Sequence, residues 1–368
     1  MKRLLISALA YDAGRSGIAN YIDNVVKALS LHINIDIIVN EEEKHFFEEI
    51  NENIEFIVVS KRFKKPLFNM LWHMFILPFK IDKTKYEWMF LPAGNRRLMA
   101  FYPLKTFVMM HDLSQFHVGK KYDSFRMFYI KKVIPFFLKF SNKIFSVSKS
   151  TANDLVKYYG IEHEKIIVNY NGVNREHFND ELLIEKDEKN PFILYVARIE
   201  HPGKNHLNLI KAYEMLDENL KQKYELCLVG SDWNGAEVVH EYANNSLDKN
   251  RIKFMGYVSN EDLPRYYKEA SLFVFPSFFE GFGIPLVEAL ISGTPSLASN
   301  CSSLPEVGGD AAFYFDPNNP KDISELMSRV LDNKMLQNEM IEKGFEQVKK
   351  FDWDNHAKLL LDKTVFAT

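Results

Sequence analysis

Short apolar runs alternate with longer amphipathic stretches along the whole chain, and this alternation carries most of its structural information. A strand in a parallel sheet is covered by helices on both faces. It therefore reads as a nearly continuous apolar run rather than as alternating apolar and polar positions. In the first half such runs fall at residues 4–9, 33–39, 54–59, 88–91, 106–110, 144–147 and 166–168, and helical periodicity marks 18–29, 122–140 and 151–159. The pattern restarts with runs at 192–197, 225–229, 252–254, 272–275, 296–298 and 312–315, separated by helical stretches at 206–216, 261–268, 285–292 and 323–331. Alternation of this kind predicts βα units wound into parallel sheets, one sheet in each half.

Between the halves, Asn171-Gly172 leads into the charged stretch Glu185-Lys186-Asp187-Glu188-Lys189-Asn190-Pro191, which resists packing and suits a connector. The expected organisation is a first domain over 1–175, a linker over 176–190, a second domain over 191–350 and a final segment, 351–368, that returns to the first domain. Open parallel sheets bind ligands outside the carboxyl ends of their strands. Two facing, doubly wound domains would place two substrates in an interdomain cleft.

Composition narrows the classes. The 46 basic and 49 acidic side chains give a net charge of -3, which argues against a dedicated nucleic-acid binder. The 2 cysteines, Cys227 and Cys301, support neither a disulfide framework nor a cysteine-rich zinc site and fit a reducing compartment. The start, Met1-Lys2-Arg3-Leu4-Leu5-Ile6, imitates a signal peptide, yet its apolar part is short and runs into a glycine loop, so it reads as a first strand. The apolar stretch 67–79 is interrupted by Asn69, His73 and Pro78 and is too short to cross a bilayer. The expected location is cytoplasmic.

Candidate chemistry collects at predicted strand ends. After the run 272–275 come Phe279-Glu280-Gly281-Phe282-Gly283-Ile284-Pro285-Leu286-Val287-Glu288. Pro285 suits a first helical turn, and Gly281 and Gly283 allow close approach of the backbone to a ligand. A carboxylate is repelled by a phosphate, so Glu280 and Glu288 point to hydroxyl groups. A solvated loop residue and a glutamate favouring the helix dipole would fit the same spacing. After the run 192–197 come Arg198 and Lys204, two cations where a departing diphosphate needs neutralising, a pairing that solvated side chains also produce.

In the first half, Gly14 and Gly17 open a helix after the first strand and could offer backbone N–H groups to a phosphate. The spacing lacks the three-glycine dinucleotide form, and no acidic residue plainly closes the second strand, which weakens a dehydrogenase reading. His111-Asp112 ends the run 106–110, where the histidine either meets a sugar hydroxyl or simply caps the strand. Asp352-Trp353-Asp354 has the form of a metal-binding pair but opens the last helical segment and reads as its cap. No metal and no cofactor are expected.

Basic residues flank two apolar stretches of the first half. Lys61, Arg62, Lys64 and Lys65 precede 67–79, and Lys131, Lys132, Lys139 and Lys143 surround Val133-Ile134-Pro135-Phe136-Phe137-Leu138. Such segments either lie on an anionic membrane or form core helices with a solvated basic face.

Taken together, the glycine loop Gly14–Gly17, His111-Asp112, Asn171-Gly172-Val173, Arg198 with Lys204-Asn205, the paired glutamates Glu280 and Glu288, and Ser303-Leu304-Pro305-Glu306-Val307-Gly308-Gly309 resemble the retaining group-1 glycosyltransferases, glycosyltransferase family 4. The resemblance spans nearly the whole chain. It implies the GT-B fold of two Rossmann-like domains, with a nucleotide-sugar donor on the second domain and an acceptor on the first. It also implies roles: Glu288 on the ribose hydroxyls, Glu280 on a hydroxyl of the transferred sugar, the backbone of Phe282, Gly283 and Ile284 against sugar and phosphates, Arg198 and Lys204 on the diphosphate without a metal, and His111 near the reacting centre. Arg15 and Ser16 separate Gly14 from Gly17 where the family commonly has adjacent glycines, which weakens the phosphate role of that loop. The expected reaction is hexosyl transfer from GDP-mannose, or from a UDP-hexose, to a saccharide acceptor. That acceptor is expected to be lipid-linked and to belong to bacterial surface-polysaccharide assembly, with the enzyme peripheral on the inner face of the cell membrane. A sugar-nucleotide epimerase of the same fold and a two-lobed sugar-binding protein are the competing readings.

Overall fold

The computed structural model describes residues 3–14, 16–51, 54–119, 123–178 and 191–367. Two compact units divide the chain. One comprises Met1–Gln115, Gly119–Gly172 and Phe351–Thr368, the other Phe116–Val118 and Val173–Lys350. Residues 179–190, most of the expected linker, lie outside the described residues.

The first unit is built on β1 (Arg3–Ser7), β2 (Ile35–Asn40), β3 (Glu55–Val59), β4 (Tyr86–Leu91), β5 (Lys105–Met110), β6 (Lys143–Ser146) and β7 (Ile166–Val168). They form one parallel sheet in the order β3-β2-β1-β4-β5-β6-β7. The second unit carries β8 (Phe192–Val196), β9 (Glu225–Val229), β10 (Ile252–Gly256), β11 (Leu272–Phe275), β12 (Ser296–Ser299) and β13 (Ala312–Phe315), again parallel, in the order β10-β9-β8-β11-β12-β13. Every apolar run read as a strand forms one. In each sheet the winding reverses beside the first strand, between β1 and β4 and between β8 and β11, and these reversals leave a crevice at the carboxyl ends.

The cores follow from the two-sided burial. Phe90 stacks on Phe107 at 4.6 Å, with Phe145 edge-on, in the first sheet, and Phe273, Phe275 and Tyr195 fill the second. Asp36 sits fully buried on β2 between Arg3, Lys85 at 2.7 Å and the Tyr86 hydroxyl at 2.6 Å. Burial opposes its charge, but these three hydrogen bonds prevail and hold the carboxyl below its usual range.

Some helices depart from the periodicity. The stretch 122–140 breaks into Ser124–Phe128, a wider turn at Tyr129–Val133 and Ile134–Leu138. Ile134 N–H reaches back to Tyr129 O there, as the missing N–H of Pro135 loosens the ladder. Helices Ala236–Asn245 and Lys334–Gln347, whose apolar positions are sparse, were not expected from periodicity. The final helix, Trp353–Asp362, is capped by Asp352, whose Oδ1 accepts Asn355 N–H at 2.9 Å. It packs on helix Gly17–Ser30, where buried His356 accepts from the Tyr21 hydroxyl at 2.8 Å and donates to Tyr170 O at 2.8 Å.

Candidate active site

In the second unit, the loops after β8 and β11 flank the reversal of the sheet and are stitched together. Asn205, held at φ 58°, donates from its amide to Pro276 O at 2.9 Å and Pro317 O at 2.8 Å, while Phe278 N–H bonds Gly203 O at 3.1 Å. The Tyr195 hydroxyl, rising from β8, donates to Lys204 O at 2.7 Å. Lys204 is thereby aimed across the crevice, and its ammonium pairs with Glu280 Oε1 at 2.7 Å. Both side chains are largely shielded, at 21% and 14% exposure, so this contact is stronger than a surface pair.

The loop after β12 supports the glutamate turn from below. Glu280 N–H donates to Ser302 Oγ at 2.9 Å, and the Ser303 hydroxyl lies 3.0 Å from Glu280 O and 2.8 Å from Phe282 O. Gly283, at φ 97°, stands immediately before helix Ile284–Ile291, and a Cβ there would meet Leu304 Cδ2 at 2.6 Å. Only glycine fits this approach. The helix start has no side-chain cap; Pro285 offers no N–H, and Leu286 N–H donates to Gly283 O at 3.0 Å. One turn on, half-buried Glu288 accepts from the buried Tyr267 hydroxyl at 2.8 Å. Burial pushes the Glu288 carboxyl up to about 7, against the lowering effect of that hydrogen bond.

Arg198 takes a different partner from Lys204. It is exposed, with its guanidinium 4.8 Å from the ring centroid of Trp233. The residues after β8 continue to pair with those after β9, through Ile199 N–H to Ser231 O at 3.0 Å and Trp233 N–H to Ile199 O at 2.9 Å. Arg198 therefore flanks the crevice on the β9 side, and the two cations do not stand as a matched pair. Tyr267, Ser302 and Trp233 were not singled out from the sequence, whereas Ser303 opens one of the motifs that carry the family resemblance. The two serines follow a strand end directly, a signal that was there to use, whereas Tyr267 and Trp233 become partners only through packing.

In the first unit, the glycine loop follows β1. Gly14 has φ 79°, Ser16 caps helix Gly17–Ser30 by accepting Ala19 N–H, and Gly17 is its first residue. Arg15 lies outside the described residues. Beside the two glycines, Ala13 N–H donates to Glu43 Oε1 at 3.1 Å. Glu43 lies three residues past β2, so an acidic residue does close that strand, reaching back to the loop. Its carboxyl is 7% exposed and is pushed up to about 7 by burial.

His111 ends β5 and is buried. Its Nε2 lies 2.7 Å from Pro92 O, which can only accept, so Nε2 carries the proton. Burial depresses the ring to about 4 and keeps it neutral, leaving Nδ1 as the lone-pair nitrogen. Its ring meets Tyr21 edge-on at 4.7 Å, and its backbone carbonyl accepts from Thr151 Oγ1 at 3.3 Å. Asn171-Gly172 is a packing turn: a Cβ on Gly172 would meet Trp353 N at 2.5 Å.

Residues 179–347 match the family described as glycosyl transferases group 1, and residues 15–177 match glycosyltransferase family 4. The chain is 31% identical over 277 residues to the serotype-specific mannosyltransferase WbdA of Escherichia coli, a match that covers 71% of this chain and 33% of that relative. It is 26% identical over 357 residues, 93% of this chain and 94% of the relative, to a Campylobacter jejuni N-acetylgalactosamine-N,N'-diacetylbacillosaminyl-diphospho-undecaprenol 4-alpha-N-acetylgalactosaminyltransferase. Among solved structures, Anabaena HepE in complex with UDP and glucose superposes with a TM-score of 0.76 at 16% identity, covering 100% of both chains. The architecture is the GT-B fold.

Proposed function

Because the chain belongs to the group-1 glycosyltransferases, family 4, we propose that it is a retaining, metal-independent hexosyltransferase that takes mannose from GDP-mannose, with UDP-hexoses as alternative donors, and delivers it to a lipid-linked saccharide in bacterial surface-polysaccharide assembly. The observation that carries the donor site is the Lys204–Glu280 pair, held by stitched loops at the reversal of the second sheet, beside the start of helix Ile284–Ile291. Mannose is favoured by the named activity of WbdA, and a lipid-linked acceptor by that of the Campylobacter relative.

In this reading the incoming diphosphate takes Lys204 from Glu280 and is flanked by Arg198. The freed Glu280 carboxylate then accepts a hydroxyl of the transferred sugar, while Glu288 takes the ribose hydroxyls. As the bond between the anomeric carbon and phosphate oxygen breaks, negative charge grows on the departing diphosphate, where the two cations and the helix N–H groups neutralise it. The acceptor oxygen bonds the same carbon with retention of its configuration, and the acceptor proton leaves with the diphosphate. His111, neutral and with Nδ1 free of its proton, serves as a hydroxyl acceptor in the first unit.

Nucleotide release from a panel of GDP- and UDP-sugars, with and without acceptor lipid, tests this. Acceptor-dependent release is expected, with Glu288→Ala raising the donor KM and Glu280→Ala lowering mainly kcat. Tight free-sugar binding without any release, or wild-type kinetics in both variants, rules the assignment out.

The reading extends to an anionic membrane surface. Phe68, Phe79 and Phe136 are 55%, 76% and 57% exposed, and Lys65, Lys80, Lys132 and Lys139 stand exposed around them. Apolar anchors ringed by basic side chains suit anionic headgroups. Among the described residues no helix is long and apolar enough to cross a membrane. Replacing Lys131 and Lys132 by alanine is expected to reduce sedimentation with phosphatidylglycerol liposomes, and unchanged sedimentation counts against membrane seating.

A further inference from the structure

The Glu288 carboxyl is bound at one of its two oxygens. The hydroxyl of Tyr267, on helix Leu263–Glu269, donates to Glu288 Oε2 at 2.8 Å. Among the described residues Oε1 takes no hydrogen bond, and no ion pair joins the group. Burial raises the Tyr267 phenol well above its ordinary value, so the hydroxyl keeps a proton to donate.

Other buried tyrosines show what a purely structural hydroxyl does. Tyr195 and Tyr213, the other fully buried tyrosines of the second unit, donate to the backbone carbonyls of Lys204 and Tyr224, each at 2.7 Å. In the first unit Tyr86 donates to a carboxylate, Asp36, but Arg3 and Lys85 neutralise that group inside the fold and hold it below its usual range. Glu288 has no such cation, is raised to about 7, and is only half-buried. A carboxyl shielded without a counter-charge costs stability, so packing gives no reason to keep it there. Hydroxyl groups of a ligand do.

Tyr267 is itself held on several sides. Its backbone carbonyl accepts the Thr294 hydroxyl at 2.5 Å and Ala270 N–H at 3.3 Å, and Thr294 N–H donates to Ala289 O at 3.0 Å, on the helix of Glu288. Its ring lies edge-on to Phe273 of β11 at 5.6 Å and to Phe178 at 6.0 Å. A glutamate side chain has three torsions to freeze when it takes a ligand, and a fixed donor on one oxygen freezes them beforehand. The other oxygen keeps two lone pairs, enough for the two hydroxyl groups of a cis-diol.

We infer that Tyr267 is a positioning residue of the donor site: by holding Oε2 of Glu288 it presents Oε1 to the paired ribose hydroxyl groups of the nucleotide. The inference rests on the ribose role proposed for Glu288 and adds the residue that sets its geometry.

Binding of GDP, UDP and their 2′,3′-dideoxy forms to the full chain is measured by calorimetry. The parent is expected to prefer the ribose form of its nucleotide over the dideoxy form by about tenfold or more. Tyr267→Phe removes one oxygen and keeps the ring. It is expected to cut that preference about fivefold and to leave binding of the dideoxy form as in the parent. In a Glu288→Ala background Tyr267→Phe should change nothing further. A role in stability alone weakens both forms alike, so equal losses overturn the inference, as does an effect of Tyr267→Phe that persists without Glu288. If Tyr267→Phe is too unstable to assay, Thr294→Val, which releases the Tyr267 backbone, is expected to lower the preference about threefold, and an unchanged preference there overturns the inference. Failure of the wider reading looks different. A parent that binds neither GDP nor UDP, or binds ribose and dideoxy forms equally, removes Glu288 from the ribose and the inference with it. A clear parent preference that survives Tyr267→Phe overturns the positioning role alone.

Discussion

The two crevices share a topology and differ in how their charges are met. In the second unit the cation and carboxylate that would read a ligand meet each other, Lys204 with Glu280, and hydroxyls of Ser302 and Ser303 lock the turn that carries them. In the first unit Glu43 holds the glycine loop through Ala13, while Arg97 has neutral partners and the Tyr129 hydroxyl has none. One site is thus satisfied without its ligand and must exchange an internal ion pair for an external one. The other gives Arg97 neutral oxygens as hydrogen-bond partners, with the Glu43 carboxylate acting on it at longer range. An exchange of partners favours discrimination between ligands, since an ill-fitting ligand does not repay the broken pair.

The glycines give the largest expected contrast. Gly283→Ala must hold a side chain at φ 97° against Leu304 and should cost about 3 kcal/mol in urea denaturation, with loss of donor turnover. Gly17→Ala, with nothing within 4 Å of the new Cβ and a place at a helix start, should stay within about 0.5 kcal/mol of the parent. Equal costs would remove the view that the second loop is the more tightly built.

Next in size, a double-mutant cycle of Lys204→Ala and Glu280→Gln should show a coupling of about 1 kcal/mol in stability, shielded as the pair is, while Arg198→Ala should change stability by about 0.5 kcal/mol or less. No coupling would mean that the pair is incidental to the unliganded loop.

In pH dependence the sign differs between groups. Glu288 is raised from 4.5 to about 7, so its contribution is fully present below pH 4.5 and is lost as pH rises through 7. Glu288→Gln should flatten that decline. His73 and His111 in the first unit are lowered from 6.5 to about 3 and 4, so their contribution is present above pH 6.5 and is lost as pH falls toward 4. Hydrogen exchange reads the units separately. Its protection in the first unit should fall between pH 6.5 and 4, and an unchanged first unit would contradict the neutral histidines. Glu43, also raised to about 7, acts in the Glu288 direction, and Glu43→Gln isolates the histidine effect.

Much of the second site was legible because it is local in sequence. Arg198, Lys204, Glu280, Gly283 and Glu288 fall in two short stretches at strand ends, where the run that makes the strand also announces where its loop begins. The first crevice is assembled from Asp12, Glu43, Asn69, Arg97 and Tyr129, which are scattered over more than a hundred residues and follow no spacing rule. The same reason explains the helices: Ile284–Ile291 announces itself through glycine and proline, whereas Lys334–Gln347 buries few residues and shows little period.

By itself, the sequence determined thirteen strands, two parallel sheets and a glycine-gated pair of carboxylates, since apolar runs, turn residues and helix starts act over a few positions and need no distant partner. The tertiary structure decided who meets whom. It set Lys204 against Glu280 rather than beside Arg198, put Tyr267 on Glu288 and Glu43 on the glycine loop, and gave Arg97 the neutral oxygens of Asn69 and Arg96 as hydrogen-bond partners. Charge and hydrogen-bond pairing depend on separation in space, and only the packed sheets set that separation.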